Sequence, residues 1–235
     1  MTSAVITQSN FVPWRGWYAM VRSADVLVCL DDVQFTRRDW RNRNFITSAQ
    51  GPKWMSIPLN NSGNYLSLIH QMTISNPDWW KSHIELLEST YRDQANFRKI
   101  RTAIHAIFES LQGVESLSEI NRRMNDWVFT ILGITTRVHD SREFSSDLRK
   151  TERLVEICKS VGADEYISGP AARGYLDETL FDMNSIRVRW VDYSRLPPVL
   201  STETTTQELS ILHHLATTEI SNVIRLSSFD TSPHG

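Results

Sequence analysis

The chain has few cysteines, no long apolar run and almost no excess charge. Its two cysteines, Cys29 and Cys158, stand far apart in apolar contexts and form no metal spacing, which is typical of small buried side chains in a reducing compartment. No apolar run approaches the roughly 18–20 residues that a membrane helix needs. The first residues also lack the basic region and apolar segment of a secretory signal. These absences favour a cytoplasmic protein.

Common catalytic motifs are missing as well. The sequence has no nucleophile elbow around a serine, no Walker A loop and no Gly-x-Gly-x-x-Gly turn. The seven histidines are scattered without the spacing of metal ligands, so no metal site is predicted. A net charge of −2 argues against a strongly basic nucleic-acid binder, although it is compatible with a local basic patch.

The composition that remains indicates one folded domain. The chain has 235 residues, of which 40% are hydrophobic and 22% are charged. Eight tryptophans are many for this length. They predict either a strongly aromatic core or a pocket whose rings hold a flat or sugar-like ligand.

Hydrophobic periodicity and capping residues predict alternating strands and helices. The predicted strands are 4–7, 26–30, 54–59, 72–75, 135–139, 165–168 and 186–191. The predicted helices are 14–23, one or two after Asn76-Pro77 up to 111, one from the capping box of Ser116 and Glu119 to Gly133, one from Ser146 to Gly162, and 206–216. The first strand, helix and strand form a βαβ unit, and such units are right-handed in parallel sheets. The fold prediction is a single α/β domain over 1–235, with a Rossmann-like parallel sheet and a helical insertion around 76–133.

The first candidate site follows the first strand, where Gln8, Ser9 and Asn10 precede a helix. A parallel sheet places them at its carboxyl edge, where ligands collect. Their side chains are uncharged hydrogen-bonding groups, and the helix N-terminus beyond them favours an anion such as phosphate. The alternative is an ordinary strand-to-helix loop in which Ser9 and Asn10 cap backbone groups.

The second candidate site is Asp31 and Asp32, which directly follow the second strand, with Gln34 close behind. Paired carboxylates at a strand end can bind Mg²⁺, act as a base or hold sugar hydroxyls. Neighbouring side chains on an extended chain point in opposite directions, so the two carboxylates need not share one site. The alternative is a turn in which one carboxylate caps backbone groups.

Two further stretches carry arginine. The segment 37–44 holds Arg37, Arg38, Trp40, Arg41, Asn42, Arg43 and Asn44. Arginines bind phosphate or carboxylate bidentately, and a basic segment with an aromatic ring can also meet RNA. The other stretch follows the strand at 165–168, where Ser168, Gly169 and Arg173 are able to cradle a phosphate. The alternative for the segment 37–44 is a solvated basic loop, and the alternative for the stretch after 165–168 is a tight turn.

Together these blocks resemble the WbqC-like family. Members of the family look like chains that carry three blocks in order. The first block is Gln-Pro-Asn-aromatic-x-Pro-Trp-x-Gly, the second is Asp-Asp-Val-Gln-aromatic, and the third is Asn-Arg-Asn. The matching blocks here are 8–16, 31–35 and 42–44, with later matches at 150–154, 157–158, 162–163, 168–170, 175–176 and 192–193. The resemblance covers nearly the whole chain. Three positions depart from the pattern, namely Ser9 in place of Pro, Trp17 after the glycine, and His213 in place of an acidic residue.

The resemblance implies a protein of an O-antigen, capsule, other glycan or natural-product pathway. The implied activity is modification of an amino sugar or similar amine by acyl or aminoacyl transfer, or by amide-forming ligation. Amide formation from a free acid is uphill in water, so an activated donor is required. An ATP-activated acid, an acyl-CoA and an aminoacyl-tRNA are all compatible with the basic segment. The acceptor is expected to be a small molecule such as a nucleotide-linked amino sugar.

Under this hypothesis the candidate residues take distinct roles. Asp31 or Asp32 is the base that deprotonates the attacking amine, and Arg38, Arg41 and Arg43 hold phosphate or carboxylate. The remaining substrate-binding candidates are Gln8, Asn10, Trp14, Gln34, Trp40, Asn44, Ser168 and Arg173. Two other classes stay open: a glycosyltransferase with a metal on Asp31 and Asp32, and a non-catalytic scaffold of a glycan pathway.

A weaker resemblance concerns the fold alone. The early strand, Pro-Trp-x-Gly turn, helix and second strand look like the start of nucleotidyltransferases and pantothenate-synthetase-like ligases. Those enzymes bind ATP through a His-x-x-His-type motif, whereas here Gly16 is followed by Trp17 and no histidine is near. The shared ATP chemistry is therefore not expected from this resemblance.

Overall fold

The computed structural model describes residues 1–48, 51–60, 66–144, 146–199 and 208–229. The strands are β1 (Ser3–Thr7), β2 (Val26–Cys29), β3 (Arg43–Ser48), β4 (Gly51–Ser56), β5 (Arg137–Asp140), β6 (Glu165–Ser168) and β7 (Arg187–Trp190). The helices are α1 (Arg15–Arg22), α2 (Trp79–Tyr91), α3 (Ala95–Glu109), α4 (Leu117–Leu132), α5 (Lys150–Ser160), α6 (Glu178–Met183), α7 (Ile211–Thr217) and α8 (Ile220–Leu226). Short 3₁₀ turns occur at 69–71, 141–143, 170–174 and 193–195.

Within the described residues, five parallel strands form one sheet in the order β5-β2-β1-β6-β7. The chain moves from β1 through α1 to its neighbour β2, and later returns on the other side of β1 as β6. The direction of winding therefore reverses between β1 and β6. Open α/β sheets bind ligands at such a reversal, outside the carboxyl ends of the strands. The predicted Rossmann-like α/β fold is confirmed, whereas the narrower nucleotidyltransferase-like likeness stays a prediction.

Helices cover both faces of the sheet. Val5, Leu27 and Ile167 share a buried cluster with α1 and the helices that follow β4. Ile6 and Val28, which point to the other face, pack in a second cluster with α5 and α6. Strands buried on both faces are apolar throughout, which explains the uninterrupted apolar run in β2. The edge of the sheet and its loops are then the places where polar side chains gather.

The helices α2, α3 and α4 lie inside the predicted insertion range. Ser116 caps α4, since its Oγ accepts the Glu119 N–H at 3.4 Å, and Gly133 ends α4 with a φ of +65°. The start at Ser116 and the end at Gly133 are confirmed, and the structure shows the Ser116 half of the predicted capping box. The buried rings of the insertion, Trp79 and Phe108 among them, belong to the same apolar cluster as the sheet, so its core is continuous with that of the sheet.

An antiparallel hairpin precedes these helices and was not fully predicted. β3 lies where the sequence indicates a loop, and β4 begins and ends three residues before the predicted strand at 54–59. The predicted strand at 72–75 is wrong, because Thr73 and Ile74 make only isolated bridges. The hairpin adds a second, smaller sheet beside the carboxyl edge of the main one.

Several helix starts also differ from the prediction. The helix α2 begins at Trp79 because Asn76 Oδ1 accepts the Asp78 N–H at 2.9 Å and forms a turn ahead of it. Ser146 caps the N–H of Leu148, but α5 begins only at residue 150. The helix α7 begins at 211, and residues 206 and 207 of the predicted late helix lie outside the described residues. Over the described ranges, no helix has both the length and the apolar character that a membrane crossing needs.

Candidate functional site

A buried carboxylate joins the loops that follow β1 and β2. Asp31 is 2% exposed, and its Oδ1 and Oδ2 accept the N–H and hydroxyl of Ser9 at 2.9 and 2.8 Å. The amide of Asn121, from α4, donates to the same Ser9 oxygen at 3.1 Å. A proline at position 9, which the family pattern carries, would supply neither donor. In this chain Asp31 therefore holds the first loop in place.

The neighbouring carboxylate points to the other side. Asp32 accepts the Ser141 hydroxyl at 2.6 Å and the Arg153 guanidinium at 3.1 Å, both from the β5–α5 region. Its side chain is 25% exposed to solvent. Asp31 and Asp32 thus diverge, as strand geometry predicts. Across the described parts of the chain, no three His, Cys, Asp or Glu side chains are arranged to hold a metal ion.

Arg41 donates hydrogen bonds to several groups of the loop after β1. Its guanidinium donates to the carbonyls of Gln8 and Ser9 at 3.4 Å and to the side-chain oxygen of Asn10, and pairs with Asp39 at 3.3 Å. Burial lowers the pKa of Arg41, and Asp39 opposes that shift. The buried Arg41 Nε has no hydrogen-bond partner among the described residues. The structure therefore brings together three of the predicted site residues.

Two asparagines of α4 complete this cluster and were missed by the sequence analysis. Asn121 donates to the Arg41 carbonyl at 2.9 Å, and Asn125 donates to the Asn10 carbonyl at 3.0 Å. Asn125 in turn accepts the Tyr18 hydroxyl at 2.6 Å. The two asparagines are four residues apart on the apolar face of a predicted helix, a pattern that indicates buried polar contacts and was available in the sequence.

Asn44 lies beneath the same loop. It is 2% exposed, and its amide donates to the carbonyls of Phe11 and Val12 at 3.2 and 2.9 Å. Ser210 donates to the Val12 carbonyl at 2.8 Å. Val12 has a φ of +37°, an uncommon conformation for a β-branched residue that its surroundings must impose. Asn44 thus shapes the loop from below.

A histidine to which the sequence analysis assigned no role lies at the same edge. The backbone N–H of His70 donates to the Asp31 carbonyl at 3.0 Å, and His70 Nδ1 lies 2.9 Å from that oxygen. A carbonyl oxygen only accepts, so Nδ1 carries the proton in this contact and Nε2 keeps its lone pair in the neutral ring. The partner is a backbone atom 39 residues away, so no sequence pattern could have pointed to it.

Other groups near His70 set the local electrostatics. Burial opposes the ionisation of Asp140, but the hydrogen bonds and the positive charge of Arg142 outweigh it and lower the pKa of Asp140. Burial, with help from Asp31, raises the pKa of the Cys29 thiol to about 12. Cys29 therefore stays protonated and is a poor nucleophile at neutral pH.

Trp14 lies near the reversal between β1 and β6. Its ring packs on Gly16, where an added Cβ would come within 2.2 Å of it, and its centroid is 4.9 Å from that of Tyr193. An added Cβ on Gly169, after β6, would lie 3.5 Å from the Tyr193 hydroxyl. Burial raises the pKa of Tyr193 to about 12, so the hydroxyl stays protonated. The stacking role of Trp14 stays a prediction.

The remaining candidate residues make other contacts. Ser168 is buried and hydrogen-bonded to Tyr166, and the Arg173 guanidinium lies 5.1 Å above the Trp190 ring beside edge strand β7. Gln34 is exposed. Arg38, Trp40 and Arg43 form another group at the hairpin. The Arg43 guanidinium donates to the Arg38 carbonyl and lies over the Trp54 ring, and the Trp40 ring stacks on Trp54 with 6.1 Å between the centroids.

Comparison with known proteins places these loops in a family. The WbqC-like protein family matches residues 8–224, which include the loops after β1 and β2 and the helix α4. Uncharacterized protein Rv1507c of Mycobacterium tuberculosis is 40% identical over 193 residues, which cover 82% of this chain and 83% of that relative. No solved structure matches the chain significantly. The chain thus belongs to the WbqC-like protein family.

Proposed function

We propose that this protein transfers an activated acyl or aminoacyl group to the amine of a small metabolite, such as a nucleotide-linked amino sugar. The observation that carries the proposal is the fixed tautomer of His70 at the carboxyl edge of the sheet. A neutral imidazole with a free lone pair is the commonest proton acceptor in enzymes. We place the reaction in the cytoplasm, in glycan or natural-product biosynthesis.

The proposed step conserves atoms and charge. The amine nitrogen attacks the donor carbonyl carbon and forms the new C–N bond, while a proton leaves nitrogen for His70 Nε2. The bond from that carbon to the leaving oxygen or sulfur then breaks, and the same proton passes to the leaving atom. The Asp31 carbonyl, 2.9 Å from Nδ1, holds the ring in one orientation during this transfer.

Substrate positioning falls to the Arg41 cluster. Arg41 offers a cation that is 12% exposed, and Gln8 and Asn10 carry neutral amides beside it. A guanidinium suits a phosphate or carboxylate of the substrate. Trp14 supplies a half-buried ring near the β1–β6 reversal for a flat or sugar-like moiety.

The roles first given to the two carboxylates change in this proposal. Both oxygens of Asp31 already accept hydrogen bonds from Ser9, so we assign Asp31 to positioning and His70 to proton transfer. Asp32 is partly exposed, but it is paired with Arg153 and points away from Asp31, so we give it no part in proton transfer. The diverging carboxylates also give little support to a glycosyltransferase with one metal on both.

The test is amide formation with the purified chain. An ATP-activated acid, an acyl-CoA and an aminoacyl-tRNA are each offered with free and nucleotide-linked amino sugars, and the product is identified by mass spectrometry. His70→Gln retains a side-chain amide that can donate to the Asp31 carbonyl but provides no proton acceptor. We expect it to lower kcat about 100-fold or more with little change in KM.

A matched control is His105→Gln on α3, where the histidine pairs with Glu88 away from the sheet edge. It should keep the full rate. Equal rates for wild type and His70→Gln would remove His70 from the chemistry. No amide with any donor class would refute the proposed transfer and favour a scaffold.

A further inference from the structure

The outward side of the hairpin carries an exposed aromatic surface. Trp40 and Trp54 are 38% and 50% exposed, and their ring planes lie 25° apart with centroids 6.1 Å apart. Phe45 packs 5.3 Å from Trp54, and the Arg43 guanidinium carbon lies 4.5 Å from the Trp54 ring centre. We call these four residues the aromatic face.

The charge around the aromatic face has one predominant sign. Between residues 37 and 53 the chain has five basic residues and one acidic residue, whereas its overall net charge is −2. The acidic residue, Asp39, is already engaged by Arg41 and Thr36. The local field therefore attracts a polyanion although the whole protein does not.

The aromatic face lies next to the candidate site. The Phe11 N–H donates to the Trp40 carbonyl at 3.0 Å, and the next residue, Arg41, holds the loop after β1. A chain of nucleotides lying on the aromatic face would therefore end close to Gln8 and Asn10.

We infer that the aromatic face binds a single-stranded RNA segment, with bases stacked on Trp54 and Trp40 and phosphates on Arg43 and Arg38. Stacking rings with interleaved arginines bind single strands without sequence preference. Trp, Phe and Arg are enriched in protein–protein interfaces too, so the excess of basic residues around the aromatic face is what favours a polyanionic strand over a protein partner. The inference deepens the proposed function, because an RNA 3′ end is one form in which an aminoacyl group is presented.

The test is fluorescence anisotropy of the full chain with a labelled 12-nucleotide single-stranded RNA of mixed sequence. Each stacked base contributes enough that Trp54→Ala or Trp40→Ala should weaken binding about 5- to 150-fold. Arg43→Gln should reduce the slope of log affinity against log salt by about 0.7. Tyr175→Ala removes a 74% exposed ring from another part of the surface and should change neither value.

Three results would overturn the inference. These are no binding at low salt, binding that both tryptophan variants leave unchanged, and binding of adenosine monophosphate as tight as that of the RNA. Melting temperatures of the variants show whether each is folded. Binding needs no catalysis, so RNA binding without any amide product would reject the proposed function alone. An amide product without RNA binding would reject this inference alone.

Discussion

Replacing His83 by phenylalanine should make the fold less sensitive to mild acid. His83 is 4% exposed in α2 and packs between aromatic rings, with Trp79 5.0 Å and Phe108 6.0 Å away between centroids. Burial lowers the pKa of His83 to about 4, and its contact with the Trp79 carbonyl offsets only part of that shift. The folded chain therefore keeps this ring neutral under conditions in which an unfolded chain would protonate it.

The size of the effect follows from proton linkage. Above pH 6.5, the pKa of a free histidine, the ring is neutral in both states and its titration does not affect stability. Below that value the unfolded chain binds a proton that the folded chain does not, so the free energy of unfolding falls. With a folded pKa of about 4, the loss is about 2 kcal/mol at pH 5.0 and levels off near 3 kcal/mol below pH 4.

The assay is urea denaturation of wild type and His83→Phe at pH 7.5 and pH 5.0. The pKa values of His213 and His214 are also lowered by burial, to about 4 and about 3, but both histidines titrate in each protein and cancel in the comparison. The free energy of unfolding of the wild type should fall by about 2 kcal/mol more than that of His83→Phe. Phe108→Leu, a neighbouring core change without a titratable group, should keep the acid sensitivity of the wild type. If wild type and His83→Phe lost stability equally, the buried neutral histidine would be refuted.

Three further substitutions test the loops of the site. Asp31→Asn should lower the free energy of unfolding by about 2 kcal/mol in urea titrations, because one of two buried hydrogen bonds to a carboxylate is lost; unchanged stability would show that the carboxylate does not hold the loop. Asn44→Ala should lower the melting temperature by several degrees, since it leaves the Val12 carbonyl with one donor fewer. An unchanged melting temperature, together with a crystal structure in which the loop is unchanged, would contradict this. Gly16→Ala should destabilise the protein, although alanine normally stabilises helices, because its Cβ collides with the Trp14 ring; a rise in melting temperature would contradict the packing.

The parts of the fold that could be predicted rest on local signals. β2 is apolar on both faces, so its sequence identifies a central strand. Ser116 and Gly133 satisfy backbone groups of α4 within a few residues, so the boundaries of the helix are visible in the sequence. β3 was missed because Asn44, a polar residue, occupies a buried position and interrupts the alternation by which strands are detected.

The candidate site was only partly predictable for a related reason. Gln8 and Asn10 were proposed from their place after a strand, and Arg41 from the arginine-rich segment 37–44; the structure brings these three together. The bond from His70 to Asp31 depends on tertiary packing between a 3₁₀ turn and a backbone carbonyl, which no spacing or residue type encodes. Every residue has a backbone carbonyl, so a single sequence does not show which one a side chain such as His70 will contact.

The bond from Ser210 to Val12 has a consequence for synthesis of the protein. The two residues are 198 positions apart, so the loop after β1 is among the first segments made, yet one of its supports is made late. At a translation rate of roughly 5–20 residues per second, that support follows about 10–40 s later. During this interval the Val12 carbonyl lacks the Ser210 hydroxyl. A nascent chain can thus form β1 and β2 well before its candidate site reaches the shape needed to bind a ligand.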